Sequence, residues 1–187
     1  MPKNRRVSIS KRLSYVLRHA PQSIGVALDR EGWVSVERLL DALAQHGELV
    51  RRDELETVVR ESDKQRFALS ADGLLIRANQ GHSVDVELGY APLTPPPLLF
   101  HGTVARHLAS IREHGLRRGA RHHVHLSATR ELAELVGRRR GAPIVLEIDA
   151  ARMAERGHEF FCSENGVWLT SHVPPEFLGE SPEGPPK

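Results

Sequence analysis

The sequence predicts an α+β protein built from two lobes, and three observations support this prediction. Apolar residues recur at helical spacing through most of residues 8–61, and strand and helix patterns alternate after residue 98. A proline-rich segment, residues 90–98, separates the two regions, and its three consecutive prolines favour a stiff, extended linker. We therefore expect an N-terminal lobe over residues 1–89 and a C-terminal lobe over residues 99–187.

The N-terminal lobe is predicted to contain three helices and a hairpin. The first helix begins at Ser8 or Ser10 and ends before Pro21, the second follows Ser35 as far as Gly47, and the third spans about residues 52–61. Residues 66–69 and 74–77 flank a turn at Asp72-Gly73, which predicts a β-hairpin. These are the parts of a winged helix, a fold that commonly binds nucleic acid without establishing that function by itself.

The C-terminal lobe is predicted to have a mainly β core with flanking helices. Strands are expected at residues 98–101, 124–127 and 143–148, with Gly102-Thr103 as a tight exit from the first. Helices are expected from about Val104 to Gly115 and after a Thr129 cap, the latter holding Leu132, Leu135 and Val136. Asn165-Gly166 between two apolar runs predicts a hairpin. The tail from Gly179 to Lys187 is rich in proline and glycine and is expected to fray.

Composition excludes several classes of protein. No apolar run approaches the roughly 18 residues that a membrane span needs. No apolar signal-peptide core follows the basic start of the chain, so we expect a soluble, cytoplasmic protein. A single cysteine, Cys162, excludes an internal disulfide framework and a zinc site with several cysteines. Nothing in the sequence demands more than a monomer.

The small net charge conceals an uneven distribution. The whole chain carries 26 basic and 24 acidic side chains, a balance of +2. Residues 112–140 alone contain eight arginines and three glutamates, a local balance of 8 − 3 = +5. Arginine suits bidentate contact with phosphate, so this segment is either a solvated surface or a site for an anionic partner.

Three groups of residues can carry chemistry. Arg18-His19 closes the first helix, where cations either interact with the helix dipole or reach out to a bound anion, and His19 can move a proton near neutral pH. His122, His123 and His125 suggest a metal only weakly, because no carboxylate or thiol lies within the run, and His125 fits either a core or a cleft. His101-Gly102-Thr103 forms either a capped turn or a close approach for a ligand.

Taken together, these residues and their order along the chain match the sequence pattern of a known family. The chain resembles the RNA 2′-phosphotransferases, NAD-dependent enzymes that remove the 2′-phosphate left at tRNA splice junctions. The resemblance extends from about Ser10 to Leu178, and no single motif carries it. Its carriers, in order, are residues 10–19 with Arg18-His19, residues 29–34, Lys64-Gln65-Arg66-Phe67, residues 76–83, Phe100-His101-Gly102-Thr103, residues 121–127, and residues 165–170 with Asn165-Gly166-Val167.

The resemblance implies an N-terminal winged-helix RNA lobe and a C-terminal NAD lobe of ADP-ribosyltransferase type. It implies four catalytic residues, Arg18, His19, Arg66 and Arg121. It further implies a cofactor site at His101-Gly102-Thr103, His125-Leu126-Ser127 and Val167. Val167 matches the position where protein-modifying ADP-ribosyltransferases carry glutamate. The co-substrate is NAD, no metal is expected, and the partner is RNA with an internal 2′-phosphate.

Two other functions remain open from the sequence. One is an ADP-ribosyltransferase that acts on terminal phosphates of nucleic acids, where the same arginines would serve. Val167 in place of glutamate argues against the protein-modifying version of that activity. The other is a winged-helix regulator without catalytic activity, whose C-terminal lobe senses a nucleotide. That reading does not explain why Arg18, Arg66 and Arg121 all match catalytic positions.

Overall fold

A computed structural model describes residues 1–62 and 65–180, which divide between two compact units, Met1–Gly89 and Tyr90–Lys187. Both units mix helices with short antiparallel strands, which confirms the α+β class. Lys64 and residues 181–187, which include most of the predicted tail, lie outside the described residues. No helix in the described part of the chain is long and apolar enough to cross a membrane.

The first unit packs three helices against a small antiparallel sheet. The strands lie in the order β1-β3-β2. In chain order its elements are α1 (Lys3–Arg18), a 3₁₀ helix (Pro21–Ile24), β1 (Val34–Ser35), α2 (Val36–Gln45), α3 (Arg52–Arg60), β2 (Phe67–Leu69) and β3 (Leu75–Ala78). The core includes Leu13 and Leu17 of α1, Leu39 and Leu43 of α2 and Leu55 of α3, all fully buried.

Helix α1 begins earlier than predicted, at Lys3 instead of Ser8 or Ser10. Its N-terminus has no side-chain cap, and contacts with α3 hold the first turn instead. The Arg5 guanidinium donates to both Glu54 carboxylate oxygens, at 2.5 and 2.8 Å, and Arg6 pairs with Glu61. Because these partners lie on α3 and at its C-terminal cap, far away in the sequence, local capping signals could not reveal where α1 starts.

The predicted hairpin is confirmed, and a third strand joins it. Gly73 has a φ of 70° at the turn, and strand β2 begins at Phe67, so Arg66 lies in the loop just before it. Strand β1 pairs with β3 through Val34 and Ile76. The second helix starts at the predicted cap, where the Ser35 hydroxyl accepts from the Arg38 amide at 3.3 Å.

The second unit is built on two three-stranded antiparallel sheets, in the orders β11-β7-β4 and β6-β9-β8. A reciprocal pair of backbone hydrogen bonds between Phe100 and Ser127 joins them, and β10 pairs with β5 separately. The elements are β4 (Leu98–Thr103), α4 (Ala105–His114), β5 (Leu116–Arg117), β6 (Val124–Leu126), α5 (Arg130–Gly137), a 3₁₀ helix (Arg138–Arg140), β7 (Ile144–Asp149), α6 (Ala150–Glu155), β8 (Phe161–Cys162), β9 (Trp168–Thr170), β10 (His172–Val173), a 3₁₀ helix (Pro175–Phe177) and β11 (Leu178–Glu180).

Two local predictions for this unit are wrong. Strand β4 continues through Gly102 and Thr103, where the sequence predicts a tight exit, and Val104, not Thr103, occupies the cap position of α4. Helix α6 was not predicted because only six residues form it; the Asp149 carboxylate caps it by accepting from the Arg152 amide at 3.0 Å. Pairing of β4 with β7 along its whole length keeps the chain extended to Thr103.

Helix α5 packs on strand β4 through small residues. Thr129 caps the helix as predicted, but Leu132, Leu135 and Val136 are exposed, and Ala133 and Gly137 form the buried face. A Cβ added at Gly102 would lie 1.8 Å from the Ala133 carbonyl oxygen. The helix therefore lies so close to the strand that larger side chains have no room between them.

The proline-rich segment contains no helix or strand before Leu98, where β4 begins. It makes backbone hydrogen bonds with the second unit. The Leu93 amide donates to the Phe160 carbonyl at 2.8 Å, and the Pro97 carbonyl accepts from Ala150 and Ala151 at 3.1 and 3.2 Å. These bonds hold residues 93–97 against the start of α6 and the strand that follows it.

Candidate functional site

The first group of candidate residues surrounds the C-terminus of α1. Arg18 is the last residue of the helix and His19 follows as its cap. An Nη2 hydrogen of Arg18 points to the Arg66 backbone carbonyl at 3.3 Å, and the guanidinium lies 6.0 Å from the centre of the Phe67 ring. Both contacts lie outside α1, so the side chain leaves the helix end and does not fold back onto its carbonyls.

Ser83 holds His19. The His19 Nδ1 lies 2.9 Å from the Ser83 hydroxyl, while the Ser83 amide donates to the Arg18 carbonyl at 2.8 Å. The same hydroxyl lies 3.5 Å from that carbonyl. When the hydroxyl donates to the carbonyl, it accepts from Nδ1–H, and the Nε2 lone pair of a neutral His19 faces away from Ser83. The chain thereby orients an exposed imidazole at the helix end.

Asn79 and Arg18 fix the loop that carries Arg66. The Asn79 side-chain amide donates to the Gln65 carbonyl at 2.7 Å, and its backbone amide donates to the Arg66 carbonyl at 2.9 Å. Gln65 has a φ of 38°, in the left-handed region that a non-glycine residue rarely occupies. Such strain persists only where neighbours hold it, and here it lies beside a candidate catalytic arginine. Arg18 and Arg66 are thus adjacent through their backbone and side-chain contacts.

Arg18, His19 and Arg66 line one cleft of about 560 Å³ in the first unit. Glu61 is the only carboxylate among the described residues that line it, and it pairs with Arg6. Three adjacent cationic or protonatable groups on one cleft are suited to binding an anion. Planar guanidinium groups match the geometry of phosphate oxygens in particular.

The second group lies in the other unit, on strands β4 and β6. His101 Nδ1 lies 3.0 Å from the His125 carbonyl oxygen. A carbonyl can only accept, so Nδ1 carries the proton and Nε2 holds the lone pair of the neutral ring. Burial lowers the pKa of His101 below its ordinary 6.5, and repulsion from Arg140 and Arg121 adds to this effect. The strand therefore presents a neutral imidazole at pH 7.

Arg121 donates to His125. Its Nη1 lies 3.0 Å from His125 Nδ1, which must accept, so the neutral His125 ring carries its proton on Nε2. Burial, and then repulsion from Arg140, lower the pKa of Arg121, which nevertheless stays charged. Arg140 follows α5 in the 3₁₀ helix of three arginines, and no carboxylate of the described residues pairs with it. The second unit thus also gathers cations around candidate site residues.

The remaining predicted cofactor residues contribute mainly backbone. Leu126 and Thr103 have buried side chains, and Ser127 exchanges two backbone hydrogen bonds with Phe100, at 2.7 and 2.9 Å. A Cβ at Gly102 would clash with the Ala133 carbonyl of α5, so the packing of the helix on the strand requires a glycine here. Close approach of a ligand to the Gly102 backbone stays a prediction.

A buried serine shapes the turn before Val167. The Ser163 hydroxyl accepts from the Val167 amide at 3.2 Å and lies 2.7 Å from the Asn165 side-chain oxygen. Gly166 has a φ of 75°, as the predicted hairpin requires. Strand β6 pairs with β9 through Leu126 and Trp168, so the next residues along, Ser127 and Val167, lie at the same end of this sheet.

The run of histidines does not behave as one group. His125 lies within β6 between the buried Val124 and Leu126, and therefore faces the opposite side of the strand. His123 precedes the strand and contacts the Phe161 ring edge-on at 5.5 Å. Among the described residues, no three histidine, cysteine or acidic side chains are grouped so as to hold a metal ion.

The structure brings the predicted residues together as two sets. Arg18, His19 and Arg66 share the cleft of the first unit, and His101, His125 and Arg121 are linked in the second. Sequence reasoning missed Ser83, Asn79 and Arg140 as supporting residues. Ser83 and Asn79 lie within segment 76–83, and the contribution of that segment to the family resemblance is the signal that could have revealed them. For Arg140, the signal is its place in the arginine-rich segment, residues 112–140.

The family profile and the individual relatives that match this chain carry the same name. The sequence profile of the RNA 2'-phosphotransferase, Tpt1 / KptA family matches residues 4–172. Over 173 residues, the chain is 56% identical to a protein of Burkholderia lata, covering 92% of this chain and 89% of that protein. It is 53% identical over 178 residues to one from Streptomyces coelicolor, covering 95% and 97%. Both relatives, and one from Pseudomonas aeruginosa at 56% identity over 92% of this chain and 95% of that protein, are named probable RNA 2'-phosphotransferases.

Proposed function

Since the chain belongs to the RNA 2'-phosphotransferase, Tpt1 / KptA family, we propose that it transfers an internal RNA 2′-phosphate to NAD. The RNA resembles a tRNA splice junction, and the products are RNA with a free 2′-hydroxyl, nicotinamide and ADP-ribose 1″,2″-cyclic phosphate. The proposal needs no metal, because arginines supply the positive charge that phosphoryl transfer requires. The first unit acts as a winged-helix RNA lobe and the second as an NAD lobe of ADP-ribosyltransferase type.

The reaction has two steps. In the first, an oxygen of the RNA 2′-phosphate bonds to C1″ of the NAD ribose, the bond from C1″ to nicotinamide breaks, and a 2′-phospho-ADP-ribosylated RNA forms. In the second, the ribose 2″-hydroxyl bonds to the phosphorus and the bond from phosphorus to the RNA 2′-oxygen breaks. The 2″-hydroxyl loses a proton and the RNA 2′-oxygen gains one. The first nucleophile is already an anion, which is consistent with Val167 where other ADP-ribosyltransferases carry glutamate.

The residues of the first unit act on the phosphate. Arg18 and Arg66 hold its oxygens, and His19 transfers a proton in the second step. Three features of the geometry support these roles: the shared cleft, the Arg18 contact with the Arg66 carbonyl at 3.3 Å, and the orientation of His19 by Ser83 at 2.9 Å. Arginine donors placed in advance stabilise charge on equatorial oxygens without reorganising in the transition state.

The residues of the second unit bind NAD and complete the second step. His101, Gly102, Thr103, His125, Leu126, Ser127 and Val167 form the NAD site, and Arg121 is the fourth catalytic residue. The neutral His101 suits this role, because its Nε2 accepts a hydrogen bond from a ribose hydroxyl while Nδ1 stays bonded to His125. Arg121, held by His125, brings a further positive charge.

One observation carries the proposal: the side chains of Arg18, His19 and Arg66, which match the expected catalytic positions, line one cleft. A winged-helix regulator without activity could use the arginines to bind phosphates, but it would not need a histidine held in a fixed orientation beside them. The family comparison agrees with a reaction at an RNA phosphate.

The experiment uses a short RNA with one internal 2′-phosphate, incubated with the protein, with or without NAD, and in the presence of a chelator. We expect loss of the 2′-phosphate only with NAD, together with ADP-ribose 1″,2″-cyclic phosphate in the supernatant. An unchanged RNA would contradict the proposal. A parallel RNA with only terminal phosphates tests the alternative, since a stable ADP-ribose adduct on that RNA alone would favour end modification.

A further inference from the structure

The cleft that holds Arg18, His19 and Arg66 does not end at these residues. It continues along α1 and is also lined by Lys3, Ser10, Lys11, Ser14 and Tyr15. These positions follow one another at helical spacing and form a stripe beside the buried stripe of the helix. At 1.5 Å per residue, the distance from Lys3 to Arg18 is about 22 Å.

The charges along this stripe favour a polyanion. Lys3 and Lys11 make no ion pair with any carboxylate among the described residues, whereas Arg6 is already paired with Glu61. Both lysines lie on the same cleft as the candidate catalytic groups, where they add positive charge along its length. A single 2′-phosphate needs no cations so far along the helix, whereas an extended strand with a phosphate at every nucleotide does.

An aromatic side chain lies on the same stripe. Tyr15 is 49% exposed, and the Arg12 guanidinium lies 5.9 Å from the centre of its ring. Arg12 is itself held by Glu48 at 2.6 Å, so the ring has a fixed neighbour on one side. Exposed aromatic rings in basic grooves stack with bases of single-stranded nucleic acids, and this contact tolerates any base.

We propose that the α1 stripe binds the single-stranded RNA that flanks the 2′-phosphate. In this inference, which rests on the proposed function, Lys11 and Lys3 contact backbone phosphates and Tyr15 stacks on an unpaired base. Stacking on Tyr15 needs an exposed base face, which a single strand offers and a duplex does not. The contacts are to backbone and to base faces, so binding follows length and single-strandedness and is indifferent to sequence.

The first test measures binding without NAD. A fluorescent single-stranded RNA with one internal 2′-phosphate is titrated with wild type, Lys11→Ala and Lys3→Ala at several salt concentrations. Each lysine substitution is expected to reduce the slope of log affinity against log salt by about 0.7, the value for one phosphate contact on a single strand. Arg38→Ala removes one positive charge from the exposed face of α2, outside the cleft, and should leave the slope unchanged.

Tyrosine variants test the stacking contact. Tyr15→Ala is expected to weaken binding by about tenfold, whereas Tyr15→Phe keeps the ring and should bind as wild type does. Equal slopes for Lys11→Ala and Arg38→Ala, or wild-type affinity for Tyr15→Ala, would overturn the inference. Tighter binding to a duplex of the same length would also overturn it.

Turnover on two substrates separates this inference from the proposed function. One substrate is the long RNA and the other is a dinucleotide with a 2′-phosphate, which is too short to span the roughly 22 Å from Arg18 to Lys3. We expect Lys3→Ala to lower kcat/KM on the long RNA by several times more than on the dinucleotide, through KM. An equal loss on both would overturn the inference. If wild type transforms neither substrate, the proposed function fails, and the salt slopes still decide whether the stripe binds RNA.

Discussion

The two units present their site residues in opposite ways. In the first unit, Arg18 and His19 project from the end of a helix into a cleft, and Ser83 and the backbone of Arg66 hold them. In the second unit, His101 and His125 lie within paired strands and are held by a backbone carbonyl and by Arg121. One unit displays charge around an open space, and the other keeps imidazoles neutral in a fixed orientation.

This difference follows from the chemistry proposed for each unit. A phosphate must stay bound while the geometry at phosphorus changes in the transition state. Several hydrogen-bond donors with a permanent positive charge suit this task. NAD must be held so that its ribose reacts, and neutral donors and acceptors on rigid strands suit this task because hydrogen bonds to such groups depend on position, while the proposed role of Arg121 adds one positive charge. Four predictions test this contrast, beginning with the largest expected effect.

Removing one candidate catalytic arginine from either unit should have the largest effect. Arg66→Ala and Arg121→Ala are each expected to lower kcat by about a hundredfold or more, because each removes a donor to the charged transition state. Steady-state rates of 2′-phosphate removal give the measurement, with Arg38→Ala as a control outside the cleft. A loss below about fivefold for either variant would contradict its catalytic role and make the contrast between the units one of binding alone.

Close packing should be essential in the second unit. Gly102→Ala places a Cβ 1.8 Å from the Ala133 carbonyl oxygen and is expected to lower the free energy of unfolding by about 3 kcal/mol or more. Gly179→Ala meets its nearest neighbour at 3.6 Å and serves as the control. Urea unfolding followed by circular dichroism measures both. If Gly102→Ala were as stable as the control, α5 could not lie against β4 as described.

Acid should affect the two units in different pH ranges. The folded pKa of His101 is below 6.5, so as the pH falls the unfolded chain binds this proton first, and stability falls from pH 6.5 downward. For Glu54, the Arg5 guanidinium lowers the pKa from 4.5 to about 2, so its contribution is present above pH 4.5 and is lost towards pH 2. One group changes the free energy of unfolding by at most about 1.4 kcal/mol per pH unit.

Two variants separate these ranges. His101→Asn should flatten the dependence of the free energy of unfolding on pH just below pH 6.5, and Glu54→Gln should flatten it below pH 4.5 while lowering stability at pH 7. Urea unfolding at steps of one pH unit gives both curves. A wild-type curve for His101→Asn below pH 6.5 would show that this imidazole is not held neutral.

The smallest expected effect concerns Ser83. Ser83→Ala removes the hydrogen bond to His19 and is expected to lower kcat by about fivefold, the value of one neutral hydrogen bond. KM should stay unchanged, because Ser83 acts through the orientation of His19. Ser83→Thr keeps the hydroxyl and should restore the rate. A rate for Ser83→Thr as low as that of Ser83→Ala would leave Ser83 with a structural role only.

Local sequence patterns predicted most of the elements because short-range chemistry defines them. The Ser35 and Thr129 caps and the two hairpin turns depend on residues within a few positions of each other, and the structure contains all four. The early start of α1 depends on Glu54 of α3 and on Glu61, which caps that helix, and no local signal encodes such partners. Gly102 illustrates the same limit. A glycine is required there because the Ala133 carbonyl of α5, distant in the sequence, leaves no room for a side chain.

The candidate site shows a similar division. The chemistry of Arg18, His19 and Arg66 could be predicted from residue type and motif order, and the structure places them on one cleft. Their support could not be predicted, because Ser83 reaches His19, and Asn79 reaches Gln65, only after the chain has folded. Residue type therefore reveals which groups can react, and folding determines which groups hold them.

The most direct test of the account is mass spectrometry of the RNA after reaction of Arg66→Ala and Arg121→Ala with NAD and a 2′-phosphorylated RNA. If both units serve the second step, both variants accumulate the same RNA, heavier than the substrate by one ADP-ribose and still carrying its phosphate. If Arg121→Ala leaves the substrate unchanged while Arg66→Ala accumulates the adduct, the two units act in different steps, and the assignment of Arg121 to the second step is contradicted.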